Sequence, residues 1–389
     1  MEEGQEMSFA PAHPIGLFLC GDVMTGRGID QILPHPGSPA LYEIYIRDAR
    51  EYVNLAEVVH GPIQRPVSFD YIWGDALSEM QRAQPDVRII NLETSITTSE
   101  DYWPGKAVLY RMHPENIGCL TAARIDCCCL ANNHVLDWGY SGLEETLRTL
   151  DRAEIAHAGA GHNASEAAAP AVCQAAGKGR VLVFAFASPS SGVPRRWGAT
   201  EDRPGVNLLE DLSEETTQLI THRMRELKRP GDVMVASIHW GTNWGYEISE
   251  EQIQFAHRLI EEGVDLVHGH SSHHVKAIEV YRGRLILYGC GDFLTDYEGN
   301  GGHEWFRGDL ALMYLVQVDP QQGRPVEVRL APFQSWRFRL TRASSADGKW
   351  LCDLLNQLGT SFHTQVELEA DNRMILCGKY CHDRTEAGL

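Results

Sequence analysis

Residues 264–293, VDLVHGHSSHHVKAIEVYRGRLILYGCGDF, constrain this chain more than any other stretch. A mostly apolar run, 264–267, stops at Gly269 and is followed at once by His270, Ser271, Ser272, His273 and His274. A second run, 285–288, stops at another glycine and is followed by Asp292. The pattern predicts two buried strands that each end in polar ligands. A glycine-rich turn frees imidazoles from packing and lets several converge, which is what a borderline transition metal needs. A histidine-rich surface loop would look the same in isolation, so the other strand ends must decide.

They repeat the theme. Residues 15–20 read as a strand ending in Asp22, with Arg27 a few positions on as a candidate clamp for an anion or as a surface ion pair. Residues 87–90 lead to Glu93, and DCCCL at 126–130 leads to Asn132, Asn133, His134 and Asp137. The strand 233–238 ends in His239. Helices are expected between them: 76–83; a stripe at Leu143, Leu147 and Leu150; 214–228; and a capping box at Ser249 and Gln252 ahead of Phe255, Ala256, Leu259 and Ile260. In an open α/β sheet, ligands gather beyond the carboxyl ends of the strands. Asp22, Glu93, Asn133 with His134, His239, and His270 with His273 therefore form one candidate cluster. Mixed carboxylate, amide and imidazole donors suit manganese, iron or zinc rather than a soft thiolate site.

Elsewhere the pattern is plainer. Residues 34–70 are irregular, helical only over 45–59, and read as an excursion that shapes a substrate pocket. After residue 293 the expected strands are 310–318 and 326–330, then a short helix at 352–358 and a closing hairpin of 365–368 with 374–377. Cys377, Cys381 and His382 resemble a zinc pattern but lack a second pair. The formal charge of -19, from 34 basic and 53 acidic residues, disfavours a nucleic-acid partner. The N-terminus has no positive or apolar region of a secretory signal, and no uncharged apolar stretch reaches the roughly 18 residues of a membrane span. Ten cysteines, mostly in apolar segments, point to reduced thiols and a cytoplasmic location.

The segments GDVMTGR, NLETS, LANNHVLDWG, IHWGTNWGYE, GHSSHHVKAIEVY and YGCGDF resemble, in matching order, the motif series of the CapA-type poly-γ-glutamate capsule biosynthesis family. That family is similar in turn to the calcineurin-like metallophosphoesterases. The resemblance implies an α/β fold, a layered sandwich of two β-sheets flanked by helices, here with a β-rich C-terminal part. It also implies a centre of one or two metal ions where water is activated for attack on an ester. Carried over by residue, Asp22, Glu93, Asn133, His239, His270 and His273 are the expected ligands, with His134 acting on the reacting group. The chain departs from the phosphoesterase pattern at Met24, at NLE, and at GHSSHH, which leaves the second metal position and the choice between His273 and His274 open. Asp137 either orients His134 or caps the next helix.

The expected organisation is a tail at 1–13, a main domain at 14–335 and an extension at 336–389 packed on the same domain. The leading functional expectation is a soluble metal-dependent hydrolase of a small anionic substrate, a phosphoester or a glutamyl-type amide. The competing one is a non-catalytic accessory subunit of a polymer-synthesising complex. Oligomeric state is not legible in the sequence.

Overall fold

A computed structural model describes residues 13–377. Most of the expected tail, together with Cys381 and His382, lies outside the described residues. Two sheets, of ten and six strands, dominate. Eight strands of the larger run in the order Gln365–Leu368, Met374–Cys377, Arg324–Ser335, Leu310–Asp319, Ile15–Val23, Val87–Leu92, Cys127–Cys129, Ala156–Ala158, while Asp292–Leu294 pairs with Ile15–Val23 and Leu340–Arg342 with Arg324–Ser335 off this path. The smaller runs Ile278–Tyr281, Arg284–Leu287, Leu266–His270, Val233–His239, Gly179–Ala187, Ala171–Ala175.

The sheets pack against each other because their strands are apolar on both faces. Val181, Val183, Ala185 and Ala187 join the large core between the sheets, while Leu182, Phe184 and Phe186 join a second core on the other side. Val233 and Val235 alternate in the same way with Met234, Ala236 and Ile238. Side chains of a strand point to opposite faces in turn, so a continuous apolar run means a strand covered twice. Helix Glu250–Glu261 covers the outer face with Phe255, Ala256, Leu259 and Ile260, and Ser249 and Gln252 complete its capping box.

Two helices begin elsewhere than the pattern predicts. The helix expected from residue 45 starts at Arg50, because residues 39–49 close a loop on themselves through Leu41 N to Arg47 O and Ala49 N to Pro39 O. Within that loop Glu43 is buried and takes its bonds from Arg27, the Tyr52 hydroxyl and the Leu109 amide. The C-terminal helix spans Ser345–Gly359 and is capped by Ser344; Asp347 and Gly348 are weak helix formers and hide its first turn from a propensity argument. Its neighbours, Gln365–Leu368 and Met374–Cys377, pair antiparallel as expected and extend the larger sheet.

Candidate metal centre

The parallel strands of both sheets end on the same side of the molecule's core. Asp22 lies in register with Asn91 on one side and Asp292 on the other. His239 is in register with His270. The approach of the Asp22 and Asp292 strands depends on glycine: a Cβ on Gly21 would lie 1.6 Å from the Gly291 carbonyl oxygen. Gly21→Ala is therefore expected to lose about 1–3 kcal/mol or more, as forced overpacking does, and to be read as a lowered Tm.

Two groups of donors form where the strands end, and they share Asp22. Asp22, His239 and His270 present ligand atoms within 4.8 Å of one another, and so do Asp22, His273 and Asp292. The Nδ1 atoms of His239 and His270 are 2.8 Å apart, a separation at which two lone pairs need a proton or a cation between them. Asn133 Oδ1 stands 3.0 Å from His239 Nε2, and Glu93 Oε1 stands 3.7 Å from the same nitrogen. Asn91 donates to Asp22 Oδ1 at 2.7 Å, and the Ser271 amide, at φ 97, donates to Asp22 Oδ2 at 3.2 Å.

The electrostatics call for a cation. Burial, then the neighbouring Asp292, pushes the Asp22 carboxyl up to about 7. Burial, then Asp22 and Asp292, raises Glu93 as well. Burial also holds His239 and His270 well below the usual imidazole range, hence neutral and able to donate a lone pair. Glu93 Oε2 and Asp292 Oδ2 are buried oxygens with no hydrogen-bond partner. Orphaned carboxylate oxygens beside neutral imidazoles fit a divalent transition metal.

His134 sits at the edge of this cluster. Its Nδ1 is 2.6 Å from Asp137 Oδ2, its ring stands edge-on to Tyr110 at 4.7 Å, and its Nε2 is 3.7 Å from Glu93 Oε1. Burial outweighs Asp137 and lowers the ring to about 4. Asp137 also accepts from the Tyr110 amide at 2.6 Å and from Lys106 Nζ. It does not cap the helix Gly139–Arg152, whose N-cap is Trp138. A pocket of about 180 Å³ lies over these groups, lined among others by Lys106, His134, His239, His273 and Tyr297.

Arg27 departs from the expectation of a clamp for substrate. Its side chain is buried and all five guanidinium donors are spent within the protein. They go to Asp296 (3.2 and 2.5 Å), Glu43 (3.3 Å), Tyr52 (2.9 Å) and Tyr110 (2.7 Å). No donor is left for a substrate oxygen. Nor is it the alternative surface pair, since its carboxylate partners are buried too.

The structure brings His273, rather than His274, against Asp22 and Asp292; His274 turns away to stack on Phe306 at 4.6 Å. Asp292 is the ligand-type residue absent from the expected set. The signal was present: Cys-Gly-Asp occurs at 20–22, near the end of Ile15–Val23, and again at 290–292, at the start of Asp292–Leu294, and these two strands pair in parallel. Lys106 and Asn243, which reach the pocket, and Tyr110, which packs on His134, gave no such signal, because they lie on irregular segments. Met24, at the position of the missing ligand, is buried with its sulfur 3.7 Å from the Tyr297 hydroxyl.

Comparison with known proteins gives the family. The profile of the family described as "Bacterial capsule synthesis protein PGA_cap" matches residues 16–297. The chain belongs to this CapA-type family. It is 47% identical over 359 residues to a protein of Mycobacterium tuberculosis named "Probable polyglutamine synthesis accessory protein", covering 92% of this chain and 94% of that one. It is 24% identical over 277 residues to the "PGA biosynthesis protein CapA" of Bacillus subtilis, covering 71% of this chain and 62% of the relative. It is 23% identical over 348 residues to the "Capsule biosynthesis protein CapA" of Bacillus anthracis, covering 85% and 74%. Among the described residues, no helix is long and apolar enough to cross a membrane.

Proposed function

We propose that this CapA-type protein is a metal-dependent hydrolase that cleaves a phosphoester or a glutamyl-type amide of a small anionic substrate. The observation that carries the reading is the pair of donor groups sharing Asp22 beside the His134–Asp137 pair, with Glu93, Asn133, His134, His239 and His273 facing one pocket. Asp22, His239 and His270 would hold one ion, with Asn133 and Glu93 beside them. Asp22, His273 and Asp292 would hold a second. Such an ion of the manganese, iron or zinc kind would supply Lewis acidity at the scissile group and activate water near neutral pH. Asp137 orients the His134 ring through Nδ1, which leaves Nε2 at the pocket to exchange a proton with the reacting group. Lys106, itself held by Asp137, is the permanent cation among the pocket's lining residues and favours an anionic substrate. Burial of eight free thiols supports a reducing, cytoplasmic setting.

A second reading, an accessory role alongside a polymer-synthesising enzyme, is favoured by the printed name of the Mycobacterium tuberculosis relative. One experiment separates the two. Metal-replete protein is assayed against phosphomonoesters, phosphodiesters and γ-glutamyl amides, with His239→Ala prepared in parallel. Turnover of one of these classes that disappears both with a chelator and in His239→Ala is the expected result. No turnover by the metal-replete parent, together with co-purification of a polymer-forming ligase, would favour the accessory reading.

A further inference from the structure

A groove of about 590 Å³ adjoins the metal pocket and shares Val108, Asn243, His273 and Tyr297 with it. Its volume lies within the roughly 300–1,000 Å³ of small-molecule sites. Trp244 and His303 line it as a stacked pair, ring centroids 3.9 Å apart, with Phe306 packed 5.4 Å from Trp244. Val59, 55% exposed, and Val108 add apolar surface.

The groove's charges are already committed. Glu298 accepts from the Arg337 and Phe338 amides and pairs with His60. Glu304 accepts from the Gly302 amide at 2.9 Å. Arg307, the only permanent cation among the lining residues, forks onto Asp309 at 2.8 and 2.9 Å and reaches Asp347 at 2.8 Å. The carboxamides are only partly committed: Asn243 meets His273 Nε2 through its Nδ2 at 3.0 Å and keeps Oδ1. Asn300 makes no side-chain hydrogen bond among the described residues, and Gln334 uses only its Nε2, on Asp309 at 2.9 Å, leaving Oε1 unused.

These leftovers define the ligand. A polyanion finds no unpaired cation here and meets three carboxylates. An acyl chain would strip water from the amides without replacing their hydrogen bonds. A sugar ring satisfies both surfaces: its C–H groups, slightly positive, match the negative face of an aromatic ring, and its hydroxyls donate to and accept from carboxamides. We propose that the groove is a subsite for a neutral glycosyl unit of the substrate, whose scissile linkage lies in the adjoining metal pocket. The second half of that statement rests on the hydrolase reading; the sugar site itself does not.

The test titrates cellotetraose, chitotetraose and maltotetraose, neutral probes that differ in linkage and substituent, against the full chain by calorimetry and saturation-transfer NMR. At least one is expected to bind. Trp244→Ala should weaken it about tenfold, roughly the weight of one aromatic contact, while Trp244→Phe stays within a few-fold of the parent. Gln334→Ala should weaken it several-fold with an unchanged circular dichroism spectrum, which guards against misfolding of Trp244→Ala. His239→Ala should bind the sugar as the parent does, so that loss of hydrolysis and loss of the sugar site are told apart. The proposal is overturned if none of the three binds at millimolar concentration, if Trp244→Ala and Gln334→Ala both bind like the parent, or if a γ-linked glutamate tetramer occupies the groove in a Trp244-dependent way.

Discussion

His134→Ala is expected to keep its fold and its metal while losing about 10²- to 10⁴-fold in turnover, the usual weight of a positioned proton donor or acceptor. The imidazole is fixed from one side only. Asp137 holds Nδ1 at 2.6 Å, Tyr110 packs on the ring, and Nε2 is left at the pocket with Glu93 Oε1 3.7 Å away. His134 belongs to neither donor group that shares Asp22. Deleting it removes a proton carrier without opening a ligand set. The loss should shrink for substrates with good leaving groups, which need little help from an acid. Steady-state kinetics over a series of aryl phosphates, beside elemental analysis of the same preparations, make the check. Metal lost as completely as in His239→Ala would make His134 a ligand instead.

Arg27→Ala is expected to cost about 3–5 kcal/mol of stability, the penalty of leaving a buried ion pair with one partner. Asp296 and Glu43 would lose the guanidinium that neutralises them, and the two tyrosine rings that sandwich it at 3.9 and 4.2 Å would face a void. Arg27→Lys should recover only part of this, since an ammonium cannot serve five acceptors in a plane. Thermal and denaturant unfolding give the answer. A loss confined to activity, at unchanged stability, would return Arg27 to the role of a substrate clamp.

That difference shows where sequence reasoning reaches and where it stops. Asp22, Glu93, Asn133, His239 and His270 were legible because a parallel strand announces itself as an apolar run and its carboxyl end is where a side chain can face a crevice. The parallel pairing that aligns Asp22 with Asn91 and His239 with His270 follows from that arrangement. Arg27 shares the same neighbourhood in sequence, yet its fate is decided by Glu43, Tyr110 and Asp296, each on a segment with no period to read. The same holds for Lys106, whose contacts with Asp137 and the Asn133 carbonyl depend on how an irregular stretch folds back. The Trp244–His303 wall is likewise formed by two loops 59 positions apart. Local pattern carries strands and caps; loop-to-loop contacts come from the tertiary fold.

The central claim is that the strand ends make a metal centre with Asp22 as the shared ligand. Elemental analysis of purified parent, His239→Ala, Asp292→Ala and Asp22→Ala, each dialysed after loading with manganese, iron or zinc, tests it most directly. The account predicts that the parent retains one or two equivalents. It predicts that His239→Ala and Asp292→Ala each lose metal, and that Asp22→Ala, which breaks both groups, loses all of it. A folded parent that retains no metal, or an Asp22→Ala variant that retains as much as the parent, would contradict it.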